Sequence, residues 1–173
     1  MSHAVFCIAD TETKAIAIVN RLKDAGFTDE ISVLMPDKGG SRDFAHEHHT
    51  KAPEGAMTGG GAGGVLGGAL GWLVGIGSLA IPGVGPFIAA GPIMAALGGA
   101  AIGATVGGVT GALVGLGIPE YEAKQYEGKL AKGNILISVH TDDSAQAKRV
   151  KEIFTAEKAK DISSAAEEAV KSH

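Results

Sequence analysis

Residues 59–75 read GGGAGGVLGGALGWLVG, a stretch in which glycines are interspersed with apolar side chains and no residue is charged. The stretch belongs to a longer charge-free segment, because no Asp, Glu, Lys or Arg occurs between Glu54 and Glu120. That segment contains 22 of the 27 glycines of the chain. Since a charge-free run of this length is costly to leave in water, the sequence predicts that it is buried in lipid or in protein.

Within the segment, glycine recurs at every fourth position in two series. Residues four apart lie on one face of a helix, so each series predicts a helix with a stripe of small residues, over residues 56–79 and 93–117. Three prolines in AIPGVGPFIAAGP (residues 80–92) predict the turn of a helical hairpin. Such stripes let two helix backbones pack closely. The predicted helix-packing residues are Gly59, Gly63, Gly67, Gly71, Gly75, Gly99, Gly103, Gly107, Gly111 and Gly115.

The length of the two predicted helices favours a membrane location. About 24 residues give about 36 Å of helix, which is enough to cross a hydrocarbon layer of ~30 Å. Because all Lys and Arg residues lie in the flanks, we expect both termini on the cytoplasmic side. Glycine and alanine add little to insertion, however, so a cytoplasmic soluble assembly with a shared apolar core is the alternative. Tyr121 and Tyr126 follow the second helix and are expected at the lipid headgroups, although packing on the sheet also fits.

The amino-terminal flank carries a strand–helix–strand pattern. AVFCIA (residues 4–9) predicts a buried strand, and Asp10 is the expected N-cap of a helix that ends near Ala25. Alternating apolar residues at 31–35 predict a second strand, which Pro36 ends.

The carboxyl-terminal flank repeats this pattern. Residues after Pro119 predict a short charged helix interrupted near Gly128, and NILISVHT (residues 134–141) predicts a strand. Asp142 or Asp143 is the expected cap of a further helix. The tail from Asp161 predicts either a short edge strand or frayed chain.

Together the flanks predict an α+β fold of the ferredoxin-like βαββαβ class. The discontinuous α/β domain would comprise residues 1–54 and 118–173. The glycine-zipper helical hairpin, residues 55–117, would be inserted between strands 2 and 3.

Two stretches give the sequence a family resemblance: KAPEGA (residues 51–56) and GIPEYEAKQYEGKLAKG (residues 117–133). With the glycine-rich segment between them, they resemble the bacterial general stress protein, or heat-induced stress protein domain, family over nearly the whole chain. The resemblance implies a non-enzymatic bacterial stress-response protein with a glycine-zipper hairpin. A bacterial inner-membrane location follows if the hairpin inserts. The sequence departs from the family in its histidine-rich stretch and in its poor final strand.

A histidine-rich stretch, FAHEHHTK (residues 44–51), is a candidate metal site for Zn²⁺, Ni²⁺ or Cu²⁺. The spacing H-x-H-H lacks the four ligands of a structural site, so a solvated polar linker is the preferred interpretation. We therefore predict neither a metal nor a cofactor. The histidines considered are His46, His48 and His49, with His3 and His140 as contributors only if the fold brings them near.

Other patterns argue against enzymatic and nucleic-acid functions. The G-x-G-x-x-G match formed by Gly59, Gly61 and Gly64 has no strand before it and no acidic residue after it until Glu120, so a dinucleotide site is rejected. Cys7 is expected to be an inert buried thiol. No nucleophile–base pair stands out, and the net charge of −4 disfavours nucleic acid. The expected partners are other copies of this chain and membrane lipid; the start of the chain does not resemble a signal peptide.

Overall fold

The structure is a computed structural model that describes residues 3–28, 30–36, 77–81, 85–90 and 108–166. These residues form an α+β structure in which six antiparallel strands make one sheet and four helices pack on it. In chain order the elements are β1 His3–Ala9, α1 Glu12–Asp24, β2 Ile31–Pro36, β3 Gly77–Ile81, β4 Gly85–Ala90, α2 Gly108–Gly115, α3 Glu120–Ala131, β5 Ile135–Thr141, α4 Ser144–Ala156 and β6 Lys160–Ala166.

The strand order of the sheet is β3-β4-β2-β5-β1-β6. The strand β5 lies between β1 and β2, so Val139 is opposite Val5 on one side and Ile31 on the other. Strands from both flanks therefore alternate in one sheet, and neither flank could build it alone.

Helices cover both faces of the sheet. Continuous apolar runs such as β1 supply side chains to each face in turn, because successive residues of a strand point to opposite sides. On the first face, Val5 and Cys7 pack with α1 and α4 in one buried cluster. On the second face, Phe6 and Ile8 pack in another with residues of α2 and α3. The four helices thus form two layers, one on each face of the sheet.

The predicted turn of the helical hairpin is wrong. Residues 77–81 and 85–90 form the strands β3 and β4, and β4 pairs with β2 in the register Val33 opposite Ala90 and Pro36 opposite Phe87. Two interactions favour strands over a loop there. Phe87 is buried on the second face of the sheet, and the backbone of β4 forms hydrogen bonds with the edge of β2. This part of residues 55–117 therefore belongs to the same sheet as the flanks.

The rest of the two predicted helical arms is only partly described. Residues 56–76 and 93–107 lie outside the described residues. Residues 108–115, at the end of the second predicted arm, do form a helix, the eight-residue α2.

The N-cap of α1 also differs from the prediction. Thr11, not Asp10, is the cap: its backbone is extended and its Oγ1 accepts a hydrogen bond from the Lys14 amide at 3.2 Å. Asp10 instead forms ion pairs with Lys14 at 2.8 Å and with Lys160 at 3.0 Å. Hydrogen bonds from Lys14 and then Lys160 lower the pKa of Asp10 to about 2.

Three expectations for the carboxyl-terminal flank have clear outcomes. The predicted interruption at Gly128 is wrong, because α3 runs without a break from Glu120 to Ala131. The cap of α4 is Asp143, whose Oδ1 accepts from the Gln146 amide at 2.8 Å. The tail from Asp161 forms an edge strand, the first of its two alternatives.

Candidate functional site

The helix α2 lies near the end of the charge-free segment, just before the charged helix α3, and it packs against the second face of the sheet. Val109 and Leu113, four residues apart, lie on one side of the helix and are completely buried in the second-face cluster. No residue of α2 is charged. Its attachment to the domain therefore rests on apolar contact and on the hydrogen bonds at its two ends.

At its carboxyl end, α2 is closed by a glycine cap. The Ile118 amide donates to the Leu113 carbonyl at 3.1 Å, and the Gly117 amide donates to the Val114 carbonyl at 2.9 Å. The φ angle of Gly117 is +88°, which a residue with a side chain would adopt only with strain. The buried pair Leu113 and Ile118 completes this arrangement and orients the chain toward α3.

At its amino end, α2 is bound by the carboxylate of Glu127 from α3. Glu127 Oε2 accepts a hydrogen bond from the Thr110 amide at 3.0 Å and a second one from the Thr110 hydroxyl. A carboxylate is favourable at this position, because the first turn of a helix leaves amides unpaired and carries partial positive charge. The charged helix α3 thus supplies the side chain that caps the uncharged helix α2.

Replacing Glu127 with alanine is expected to lower the free energy of unfolding by about 1–2 kcal/mol, because a partly buried amide and hydroxyl lose their acceptor. Urea titrations followed by circular dichroism measure this change. Glu152→Ala, at an exposed position of α4, is the control and should stay within about 0.5 kcal/mol of the wild type. Equal losses in the two variants would contradict the capping role of Glu127.

Tyr126 fastens α3 to the edge strand β6. Its hydroxyl donates to the Asp161 carbonyl at 2.7 Å, which leaves its oxygen to accept from the Ser163 hydroxyl at 2.6 Å. The ring is buried against Phe6, with centroids 6.3 Å apart, and Lys129 forms an ion pair with Asp161 beside it. These contacts join α2 and α3 to the sheet as one unit.

The buried phenol also makes stability depend on pH. Burial raises the pKa of Tyr126 above its ordinary value of 10.0, so its contribution is present below about pH 10 and is lost as pH rises further. Burial raises the pKa of Cys7 as well, so each group lowers stability by about 1.4 kcal/mol per pH unit above its own unfolded pKa.

We expect Tyr126→Phe to be less stable than the wild type at neutral pH but to lose stability less steeply above about pH 10. Urea unfolding at several pH values should show the two curves converging. Parallel curves would mean that Tyr126 is not the titrating group.

The side of α2 that faces away from the sheet contains the last two residues of the glycine stripe. At 3.6 residues per turn, Gly111 and Gly115 lie opposite the buried side formed by Val109 and Leu113. Gly115 is exposed, and a Cβ there would meet nothing within 4 Å. Val114 beside it is 42% exposed. We call Gly111, Val114 and Gly115 the outer face of α2.

The other predicted helix-packing glycines cannot be placed, because they lie outside the described residues. They are Gly59, Gly63, Gly67, Gly71, Gly75, Gly99, Gly103 and Gly107.

The tyrosines after the charge-free segment have different environments. The preferred headgroup position is wrong for Tyr126, which is 2% exposed and packs on the sheet, the alternative considered for it. Tyr121 is 73% exposed, and its hydroxyl accepts a hydrogen bond from Gln125 at 2.9 Å. Among the helices that the structure describes, none has both the length and the apolar character needed to cross a bilayer.

The histidines that the structure describes do not form a cluster. His3 and His140 lie at the same end of neighbouring strands, but their positions in the strand alternation put them on opposite faces of the sheet. His46, His48 and His49 lie outside the described residues. In the ranges that are described, no three His, Cys, Asp or Glu side chains are arranged to hold a metal ion.

Cys7 is a buried free thiol, as predicted. Burial raises its pKa and so disfavours the reactive thiolate.

Comparisons of the chain with protein-family models, with curated proteins and with solved structures find no match to any of them. The features of the site itself therefore carry the functional argument: an uncharged helix that is firmly attached on one side and exposes small and apolar residues on the other.

Proposed function

We propose that this chain is a non-enzymatic protein that associates with other copies of itself through the small-residue face of its glycine-rich segment. The observation that supports this most is the direction of the stripe on α2. Gly111 and Gly115 lie opposite the buried Val109 and Leu113, and Gly115 is exposed with nothing within 4 Å of a Cβ placed there. A second helix can approach such a face closely, because no side chain separates the two backbones.

A bacterial stress-response role is the cellular context that we propose for this association. It depends on the resemblance of residues 51–56 and 117–133 to the general stress protein family. The segment 117–133 includes α3, whose Glu127 and Tyr126 fasten α2 to the domain. The motif of the family resemblance thus coincides with the part of the fold that holds the proposed association helix in place.

We further propose that the core of the fold is ferredoxin-like, with β2, β5, β1 and β6 as its four strands and α1 and α4 on the first face. The antiparallel order β2-β5-β1-β6 and the chain order of these six elements support this interpretation. In this view β3, β4, α2 and α3 are an elaboration that widens the sheet and covers its second face.

Of the two proposed settings, soluble assembly fits the sheet pairing better than a simple two-span hairpin. In a two-span hairpin, residues 80–92 would lie across a bilayer from both flanks. They include β4, which is hydrogen-bonded to β2 of the amino-terminal flank. Membrane insertion stays a second candidate because the sequence has no charged residue between Glu54 and Glu120.

Hydrodynamic measurements on the full chain separate these settings. After detergent-free lysis and ultracentrifugation, light scattering coupled to size exclusion should show a discrete soluble particle containing several copies. Recovery only in the detergent-extracted membrane fraction would favour the second candidate. A detergent-free monomer at all concentrations would overturn the proposed self-association.

The role of the stripe is tested by Gly115→Leu with Gly128→Leu as its matched control. Both glycines are exposed helix positions where a Cβ meets nothing within 4 Å, so the folded domain tolerates either change. Gly115→Leu should reduce the particle mass to about half or less, because a leucine prevents close helix approach. Gly128→Leu should leave the mass unchanged. Equal masses for both variants would contradict a role for the stripe.

A further inference from the structure

The two edges of the sheet are protected to very different degrees. Edge strands expose unpaired backbone N–H and C=O groups, and proteins block unwanted pairing with charges, bulges or proline. The strand β6 has such features: it begins with Lys160 and Asp161, and its register with β1 shifts between Phe6 and Ile8. This edge resists the addition of another strand.

The opposite edge, β3, has none of these protections within its described residues. Its sequence is GSLAI, with no charged residue and no proline. Its pairing with β4 is regular over all five residues, from Gly77 opposite Ala89 to Ile81 opposite Gly85. In the described part of the sheet, β3 has a neighbouring strand on one side only. Within the described residues this edge is therefore regular and uncharged, which suits it to accept a strand.

We propose that β3 pairs with β3 of a second copy of this chain, antiparallel about a two-fold axis. This inference depends on the proposed self-association, for which it names a second contact. An uncharged edge is matched by an equally uncharged strand, whereas β6 would bring Lys160 and Asp161 against it. The register that pairs all five residues places Leu79 opposite Leu79 of the other copy. Such a contact uses the same surface on both copies and closes on itself.

The proposed register determines which residues of the two copies lie opposite each other at positions 78 and 80. In full-length pairing, Ser78 of one copy is opposite Ala80 of the other, and the reverse pair occurs by symmetry. The side chains of residues directly opposite each other across an antiparallel pair interact, and like charges there are destabilising. Charges introduced at these two positions therefore report on the pairing without altering the outer face of α2.

The test compares two double variants of the full chain by light scattering. Ser78→Lys with Ala80→Lys places like charges opposite each other at both symmetric pairs, so the particle mass should fall to about half. Ser78→Lys with Ala80→Glu introduces the same number of charges but pairs opposite signs, so it should keep the wild-type mass. Equal masses for the two variants, whether both native or both reduced, would overturn the proposed pairing.

Two further measurements test the pairing of β3 even if one of the double variants folds poorly. Ser164→Lys on β6 should leave the mass unchanged, and a loss there would overturn the choice of β3. In the wild type, amide hydrogen exchange of residues 77–81 should slow as protein concentration rises, while exchange of residues 160–166 should not. Concentration-independent exchange at 77–81 would also overturn the proposal.

Failure of this inference is distinguishable from failure of the proposed function. If the wild type assembles and Gly115→Leu disrupts it, but the lysine double variant does not, only the strand pairing is wrong. A monomeric wild type would overturn both.

Discussion

Replacing Tyr126 with alanine should lower the free energy of unfolding by about 3–5 kcal/mol, because the change removes a large ring from a tightly packed core. The ring is almost completely buried against Phe6, and its hydroxyl holds Asp161 and Ser163 of β6. Chemical denaturation followed by circular dichroism would measure the loss. The intermediate variant Tyr126→Phe should cost only about 1 kcal/mol, since it removes the hydrogen bonds and keeps the ring.

Tyr121→Ala is the matched control for this prediction. The same side chain is removed from the same helix, but Tyr121 is 73% exposed, so the change should stay within about 0.5 kcal/mol. Similar losses for the two alanine variants would show that α3 does not pack on the sheet through Tyr126.

Leu113→Ala should lower the free energy of unfolding by about 2–4 kcal/mol, because it leaves a cavity between α2 and the second face of the sheet. Leu113 is completely buried, and its contact with Ile118 is part of the glycine cap that ends α2. The expected loss requires α2 to unfold together with the sheet. Equilibrium denaturation should accordingly remain a single transition.

Val114→Ala, one position along the same helix, is the control. Val114 is 42% exposed on the outer face of α2, so the monomer should lose little stability. If Leu113→Ala cost no more than Val114→Ala, α2 would not be part of the folded domain, and the direction assigned to its glycine stripe would have no basis.

Most strands and helices of the flanks were predictable because their signals are local. Alternating or continuous apolar runs identified β1, β2 and β5, and the pair Asp142 and Asp143, of which Asp143 is the cap, marked the start of α4. The misplaced cap of α1 has a local cause as well. Asp10 and Thr11 are both good caps, and Asp10 instead forms ion pairs with Lys14 and with Lys160, which is distant in the sequence.

The strands β3 and β4 were missed because their stability is not local. Prolines and glycines in residues 80–92 predict a turn equally well for two helices and for two short strands. The edge of β2, more than 40 residues earlier in the sequence, decides between them by pairing with β4. Burial of Phe87 on the second face adds apolar contact that the sequence pattern alone does not reveal.

The site was predictable only in part for the same reason. Four-residue spacing puts Gly111 and Gly115 on one side of the helix α2, but the direction of that side depends on the packing of Leu113. The cap from Glu127 to Thr110 and the bond from Tyr126 to Asp161 join residues 17 and 35 positions apart. No local pattern marks such contacts.

Thiol labelling at position 115 tests most directly the claim that self-association buries the outer face of α2. Cys7 is completely buried and does not compete, so Gly115→Cys and Gly128→Cys can each be labelled with a maleimide in the full chain. As protein concentration rises and particles form, labelling of Gly115→Cys should slow severalfold while that of Gly128→Cys stays constant. Labelling of Gly115→Cys that is as fast as that of Gly128→Cys at every concentration would contradict the account.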